Sequence, residues 1–131
     1  MMSYIQGFLV AVPKANKQAY IESAKAASPI FKEYGAVRMV ETWSEDIADG
    51  KVTDFKRAVK AEPDEAIVFS WIEWPDKQTC DAAGEKMETD ARWSEMPEMP
   101  FDGKRMIWGG FEPIFDTQGE QGLAPGFATS A

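Results

Sequence analysis

There is no histidine among the 131 residues, and Cys80 is the single cysteine. The first absence removes Ser-His-Asp and Cys-His nucleophile systems, His-ligated zinc and the commonest haem ligand. The second removes an internal disulfide and any Cys-rich metal site, and fits a reducing compartment. A metal would need an all-oxygen site, and no Asp-x-Asp-type loop offers one. No cofactor is expected. Long apolar runs are also lacking: Phe8–Val12 and Ala66–Ile72 are far too short to span a bilayer, so no membrane partner is expected. The chain opens with no basic segment or cleavage signature, so no secretory signal is expected and the cytoplasm is the expected location. Basic residues are outnumbered, 14 against 22 acids, for a net charge of −8. That is the wrong sign for neutralising phosphates, and no nucleic-acid partner is expected.

The most informative stretch is Asp64–Trp74. Odd positions carry Ile67, Phe69 and Trp71; even positions carry Ala66, Val68, Ile72 and Trp74. A strand with one wet face alternates apolar and polar residues, whereas this one is apolar on both. Ser3–Pro13 reads the same way, with Tyr4, Phe8, Val10 and Val12 on one face and Ile5, Leu9 and Ala11 on the other. Gly7 inside it marks a bulge or a close backbone approach. Ala36–Trp43 is a third strand, with Val37, Met39, Glu41 and Trp43 opposite Arg38, Val40 and Thr42. A fourth covers Arg105–Ile114, and Gly109-Gly110 should let it bend or bulge.

Two helices separate these strands. Asn16 is the expected N-cap of the first. Tyr20, Ala24, Ala27, Phe31 and Tyr34 then fall on one face. Pro29 should kink it and Gly35 should end it. Asp76 caps the second, whose buried face carries Cys80, Ala83, Met87 and Ala91. Residues 44–63 form a long charged loop; the alternative is that Val52–Ala58 makes a short extra strand or ordered arm. Residues 1–116 make one domain, followed by a Gly/Ala/Pro-rich tail at 117–131.

The order strand, helix, strand, strand, helix, strand implies an α+β, ferredoxin-like βαββαβ two-layer sandwich on a mostly antiparallel four-stranded sheet. Two helices cover one sheet face. The other carries large side chains, and the simplest cover is the same face of a second copy. A homodimer with stacked sheets, a dimeric α/β barrel, is therefore expected. The alternative is a monomer whose loop and tail fold over that face.

Four segments together resemble one family. They are YIQGFLVAVP at residues 4–13, the run from Gly50 to Pro75, Lys86-Met87-x-x-Asp90-x-Arg92, and MPFDGKRMIWGGFEPI at 99–114. The resemblance is to the YbaA-like family of small, uncharacterised bacterial proteins, over residues 3–115. It implies the same ferredoxin-like, dimeric barrel fold and brings no activity. Lys56 departs from the family pattern, which has proline before the Arg-Ala-Val run.

Candidate chemistry falls into four groups. Glu41, Glu73 and Arg105, with Asp54, Arg57 and Lys60 from the loop, could act as acid or base or clamp an anion. Their plain alternative is structural ion pairs tying the loop to the sheet. The aromatic set Trp43, Trp71, Trp74, Trp108, Phe69 and Phe111 suits a flat organic ligand, or is ordinary core and interface. Phe101-Asp102-Gly103-Lys104-Arg105-Met106 is an anion-binding turn or a tight turn with paired charges. Cys80 is a reactive thiol only if exposed. Glu41, Trp43, Arg57, Glu73, Arg105 and Trp108 are the ligand-binding candidates. Dimeric α/β barrels include cofactor-free monooxygenases, so the expected function is binding, or cofactor-free oxidation, of a small hydrophobic or aromatic molecule. The alternative is a non-enzymatic interaction or stress-related module with a filled core.

Overall fold

The computed structural model describes residues 3–118. Its strands are β1 (Tyr4–Pro13), β2 (Arg38–Trp43), β3 (Glu65–Trp74) and β4 (Ile107–Phe111). Its helices are α1 (Lys17–Glu33), the single turn α2 (Phe55–Ala58) and α3 (Lys77–Thr89), with 3-10 turns at Lys14–Asn16, Ala91–Trp93 and Gly103–Arg105. The fold is α+β, and the sheet is open, antiparallel throughout and ordered β2-β3-β1-β4. The tail expected at 117–131 lies, from residue 119 on, outside the described residues.

Register decides which side chains share a face. Tyr4 pairs with Trp74 and Ile5 with Phe111, so even positions of β1, β3 and β4 face together. Arg38 pairs with Glu73, so the odd positions of β2 join that even face. Helices α1 and α3 cover it, packing Ile30, Tyr34, Cys80 and Ala83 against Ile72 and Trp74. Further along, Val10, Val12 and Val68 lie under Tyr20, Phe101 and Met106. Asp76 caps α3 by accepting from the Thr79 backbone N–H at 2.7 Å, as its position before the helix suggested. Gly35 follows α1 at φ +113°, and a side chain there would meet the Thr79 methyl at 2.6 Å.

The opposite face is half covered. Asp54 caps α2 and accepts from the backbone N–H groups of Arg57 at 2.9 Å and Gly50 at 3.1 Å. This turn delivers Val59 into a buried cluster with Ala11 and Ile67. Beyond it the face stays open: Phe69 is 51% exposed, Ile107 47% and Phe111 60%.

Several expectations are corrected. Asn16 does not cap α1 with its side chain; its amide donates instead to the Pro100 carbonyl at 2.9 Å, tying the helix start to the 91–106 segment. Within the 52–58 segment Phe55–Ala58 is a helical turn, not a strand, because the Asp54 carboxylate accepts the Arg57 N–H locally. Ala91 leaves the face of α3, since Asp90 ends that helix and starts a 3-10 turn, and Met87 is exposed. β4 begins at Ile107 because Arg105 belongs to the preceding 3-10 turn. The β1–β4 register runs unbroken through Gly109-Gly110, so there is no bulge. These glycines serve close approach instead: any Cβ at Gly110 would overlap the Tyr4 hydroxyl, and the Phe111 ring lies over Gly7 and Gly109.

Candidate functional site

The sequence candidates do not converge on one site. Arg57 is consumed within its own arm. It donates to the Val52 carbonyl at 2.8 Å, to the Gly50 carbonyl, and through Nε to Asp54 at 3.2 Å. Arg105 is a clamp. Its guanidinium donates to both Glu65 oxygens at 2.7 Å, to the Lys60 carbonyl at 2.8 Å and to Asp102 at 3.1 Å. This bidentate pairing joins the turn before β4, the start of β3 and the 54–61 arm. The Arg105 guanidinium, together with the Glu62 N–H, holds the Glu65 carboxyl below the ordinary carboxylate range. Glu73 sits on the open face, accepting from the Trp71 indole at 3.1 Å with Arg38 at 3.6 Å. Trp108 points to the helix-side face at the sheet edge and is exposed.

Glu41 and Trp43 do come together, on the helix-side face of edge strand β2 beneath α1. The Tyr20 hydroxyl donates to Glu41 Oε1 at 2.7 Å. Ser70, cross-strand from Glu41 and buried, places its hydroxyl beside this pair. The Glu41 residue as a whole is exposed at the sheet edge, but its carboxyl is turned in toward α1. Burial pushes its pKa above the ordinary carboxylate value, while the two hydroxyls pull it back. The Tyr20 phenol is pushed well above its usual range, first by burial and then by the adjacent carboxylate, so it remains a donor. Lys17 lies 5.6 Å from the centre of the Trp43 ring. Sequence reasoning found Glu41 and Trp43 but missed Tyr20 as a polar partner. Its place on the apolar stripe of α1 marked it as core, and Ser70 was hidden inside the apolar run of β3.

Three hollows among the described residues bear on these candidates. A groove of about 310 Å³ continues the same seam, between α1 and the start of β2, with Ala24 one turn from Tyr20 and Met39 two residues from Glu41. An apolar groove of about 250 Å³ lies on the open sheet face among Leu9, Phe55, Phe69, Ile107 and Phe111. A third, of about 300 Å³, lies at the ends of α1 and α3 beside Tyr34, Asp90 and Arg92. There the Lys86-Met87-x-x-Asp90-x-Arg92 motif builds a closed network. Tyr34 and Arg92 donate to Asp90, Trp93 donates to the Tyr34 hydroxyl at 3.0 Å, and Arg92 also meets Glu33 at 2.6 Å. Arg92 first, then Tyr34, hold Asp90 far below its usual range.

Cys80 is buried and its thiol is pushed up by that burial, the setting of an inert packing residue. Among the described residues, no three or more Asp, Glu or Cys side chains converge to hold a metal ion. No helix among them is long and apolar enough to cross a membrane.

Comparison with known proteins agrees with this picture of a fold without an assigned reaction. The model of a family described as "Protein of unknown function (DUF1428)" matches residues 3–103. The chain is 60% identical over 116 residues to the "Uncharacterized protein YbaA" of Escherichia coli strain K12, covering 88% of this chain and 99% of that protein. The same figures hold for the protein of that name from Shigella flexneri. On these matches, the chain belongs to the DUF1428 family, whose function is unknown.

Proposed function

We propose that this protein binds a small organic molecule in the cleft between α1 and β2, acting as a homodimer with its open sheet faces stacked. The observation that carries the ligand-binding reading is the Tyr20–Glu41–Ser70 cluster. It places a carboxyl with a raised pKa and two hydroxyls on the α1–β2 seam next to a groove, one helical turn from its Ala24 and two residues from its Met39. A carboxyl tuned upward is suited to general acid–base work. Any chemistry here is therefore proton transfer on the ligand, of the kind a cofactor-free oxygenase would also require. Thermal-shift screening against a metabolite library tests the reading. A hit kept by wild type and lost in Glu41→Gln and Tyr20→Phe supports it; a hit indifferent to both changes removes it.

The dimer rests on the open face. The strand order, read from the β4 edge as β4-β1-β3-β2, is the ferredoxin-like order and supports that fold assignment. Burying Phe69, Ile107 and Phe111 would contribute roughly 1.5–3 kcal/mol each as an upper estimate. Four strands about 4.8 Å apart and roughly 17–34 Å long project on the order of 300–650 Å². A roughened surface of that footprint approaches the ~800 Å² per partner of a standard interface. The cytoplasm remains the location we propose.

A second reading has one observation in its favour. The 51–58 arm is ordered yet prominent, with Val52 90% exposed and Phe55 beside it. That suits a protein-interaction module. Loss of a protein partner on Val52→Asp, with small-molecule binding absent, would favour it.

A further inference from the structure

We infer that the groove between α1 and β2 takes an organic acid with a compact apolar body, its anionic head on Lys25 and Lys32. The inference rests on the ligand-binding reading above and adds the class of ligand. Charge carries it. The chain has 22 acids and 14 bases, yet this groove is rimmed by Lys25 and Lys32 and lined by no acid. A local field of the opposite sign to the whole molecule concentrates anions at that place. The cations are not consumed elsewhere. Lys25 meets Glu22 at 3.7 Å, a long pair with a well-exposed cation and so weak. Among the described residues Lys32 makes no salt bridge within 4.0 Å.

Shape supplies the rest of the class. Phe31, Ala36 and Met39 form the apolar side of the groove, and Ser28 adds a hydroxyl. Its volume, about 310 Å³, is at the small end for ligand sites, which limits the body to a single ring or a short chain. The other two hollows differ in kind. The open-face groove is lined by apolar residues alone, and at the α1–α3 end Arg92 is already held by Asp90 and Glu33.

The test titrates the full chain with benzoate and octanoate, and with benzyl alcohol and octanol as neutral matches, following amide and methyl resonances. The carboxylates should shift signals of Phe31 and Met39, bind about tenfold or more tighter than their alcohols, and weaken as salt rises. Lys25→Glu with Lys32→Glu should weaken carboxylate binding at least about tenfold while circular dichroism stays unchanged. Both side chains are exposed, so the fold does not depend on them. Alcohols binding this groove as tightly as the carboxylates would overturn the acid assignment and leave the ligand-binding reading standing. Carboxylates that bind elsewhere, or bind equally to the doubly substituted protein, would overturn it too. If neither class shifts any resonance of Tyr20, Phe31, Met39 or Glu41, both inferences fall.

Discussion

Tyr20 on α1 and Glu41 on β2 meet hydroxyl to carboxylate at 2.7 Å, and this bond fastens the first helix to the edge strand of the sheet. It does so at a position where burial disfavours the charged carboxylate. The pairing is therefore both a structural link and a source of pH dependence.

The sign of that dependence follows from the raised pKa. Folded Glu41 holds its proton to higher pH than unfolded Glu41, whose ordinary value is 4.5. The contribution of Glu41 to stability is full below 4.5 and declines as pH rises through the folded value. Urea unfolding over a pH series should show that decline, and Glu41→Gln should remove it. In Tyr20→Phe the carboxylate loses a donor, so its titration, followed by carbon NMR, should move further up. A Glu41 titration at or below the ordinary value would show a solvated cleft.

The Arg105–Glu65 pair behaves oppositely. Glu65 is only 5% exposed and Arg105 22%. Because the folded pKa of Glu65 is lowered, its stabilisation is present above 4.5 and is lost as pH falls through the folded value. Arg105→Met leaves a buried carboxylate without its cation, the costly way to break such a pair. Its Tm at neutral pH should fall by several degrees, and the gap to wild type should narrow on acidification. Ligand binding in the α1–β2 cleft should survive at a temperature where the variant is folded.

Two glycine substitutions should differ in sign. Gly110→Ala places a methyl on the Tyr4 hydroxyl and should cost about 1–3 kcal/mol by overpacking. Adding Tyr4→Phe should restore part of that, a coupling that distant sites would not show. Gly84 lies inside α3 with nothing within 4 Å of a built Cβ. Gly84→Ala should stabilise by about 0.5–1 kcal/mol through helix propensity. Denaturant unfolding measures both.

Light scattering should give twice the 14.6 kDa chain mass. Phe69→Asp with Phe111→Asp should yield monomers without loss of secondary structure, since both rings are largely exposed in the single subunit. A wild-type mass of one chain at micromolar concentration would refute the stacked sheets.

The elements were legible because their signals are local. Short runs apolar on both faces mark β1 and β3, the stripe from Tyr20 to Tyr34 marks α1, and Asp76 and Gly35 act on neighbours a few residues away. Element ends were read less well where a distant group intervened. Asn16 was drawn off by the Pro100 carbonyl, and Arg105 was drawn into a turn by Asp102 and Glu65. The polar candidates were the least legible part. A strand position names a face, but it does not say whether a charge there meets a partner or a cleft.

What the sequence alone determined is the apolar character of both strand faces, the order of strands and helices, and the exclusion of histidine chemistry and an internal disulfide. Those follow from residue type and spacing. Only the tertiary structure decided that Arg57 and Arg105 are spent on carbonyls and carboxylates of the chain itself. It also decided that Glu41 finds Tyr20 and Ser70, and that Lys25 and Lys32 share one groove. The physical reason is that hydrogen bonds and ion pairs depend on distances of a few ångströms. Residues tens of positions apart reach those distances only once the sheet register and helix packing are fixed.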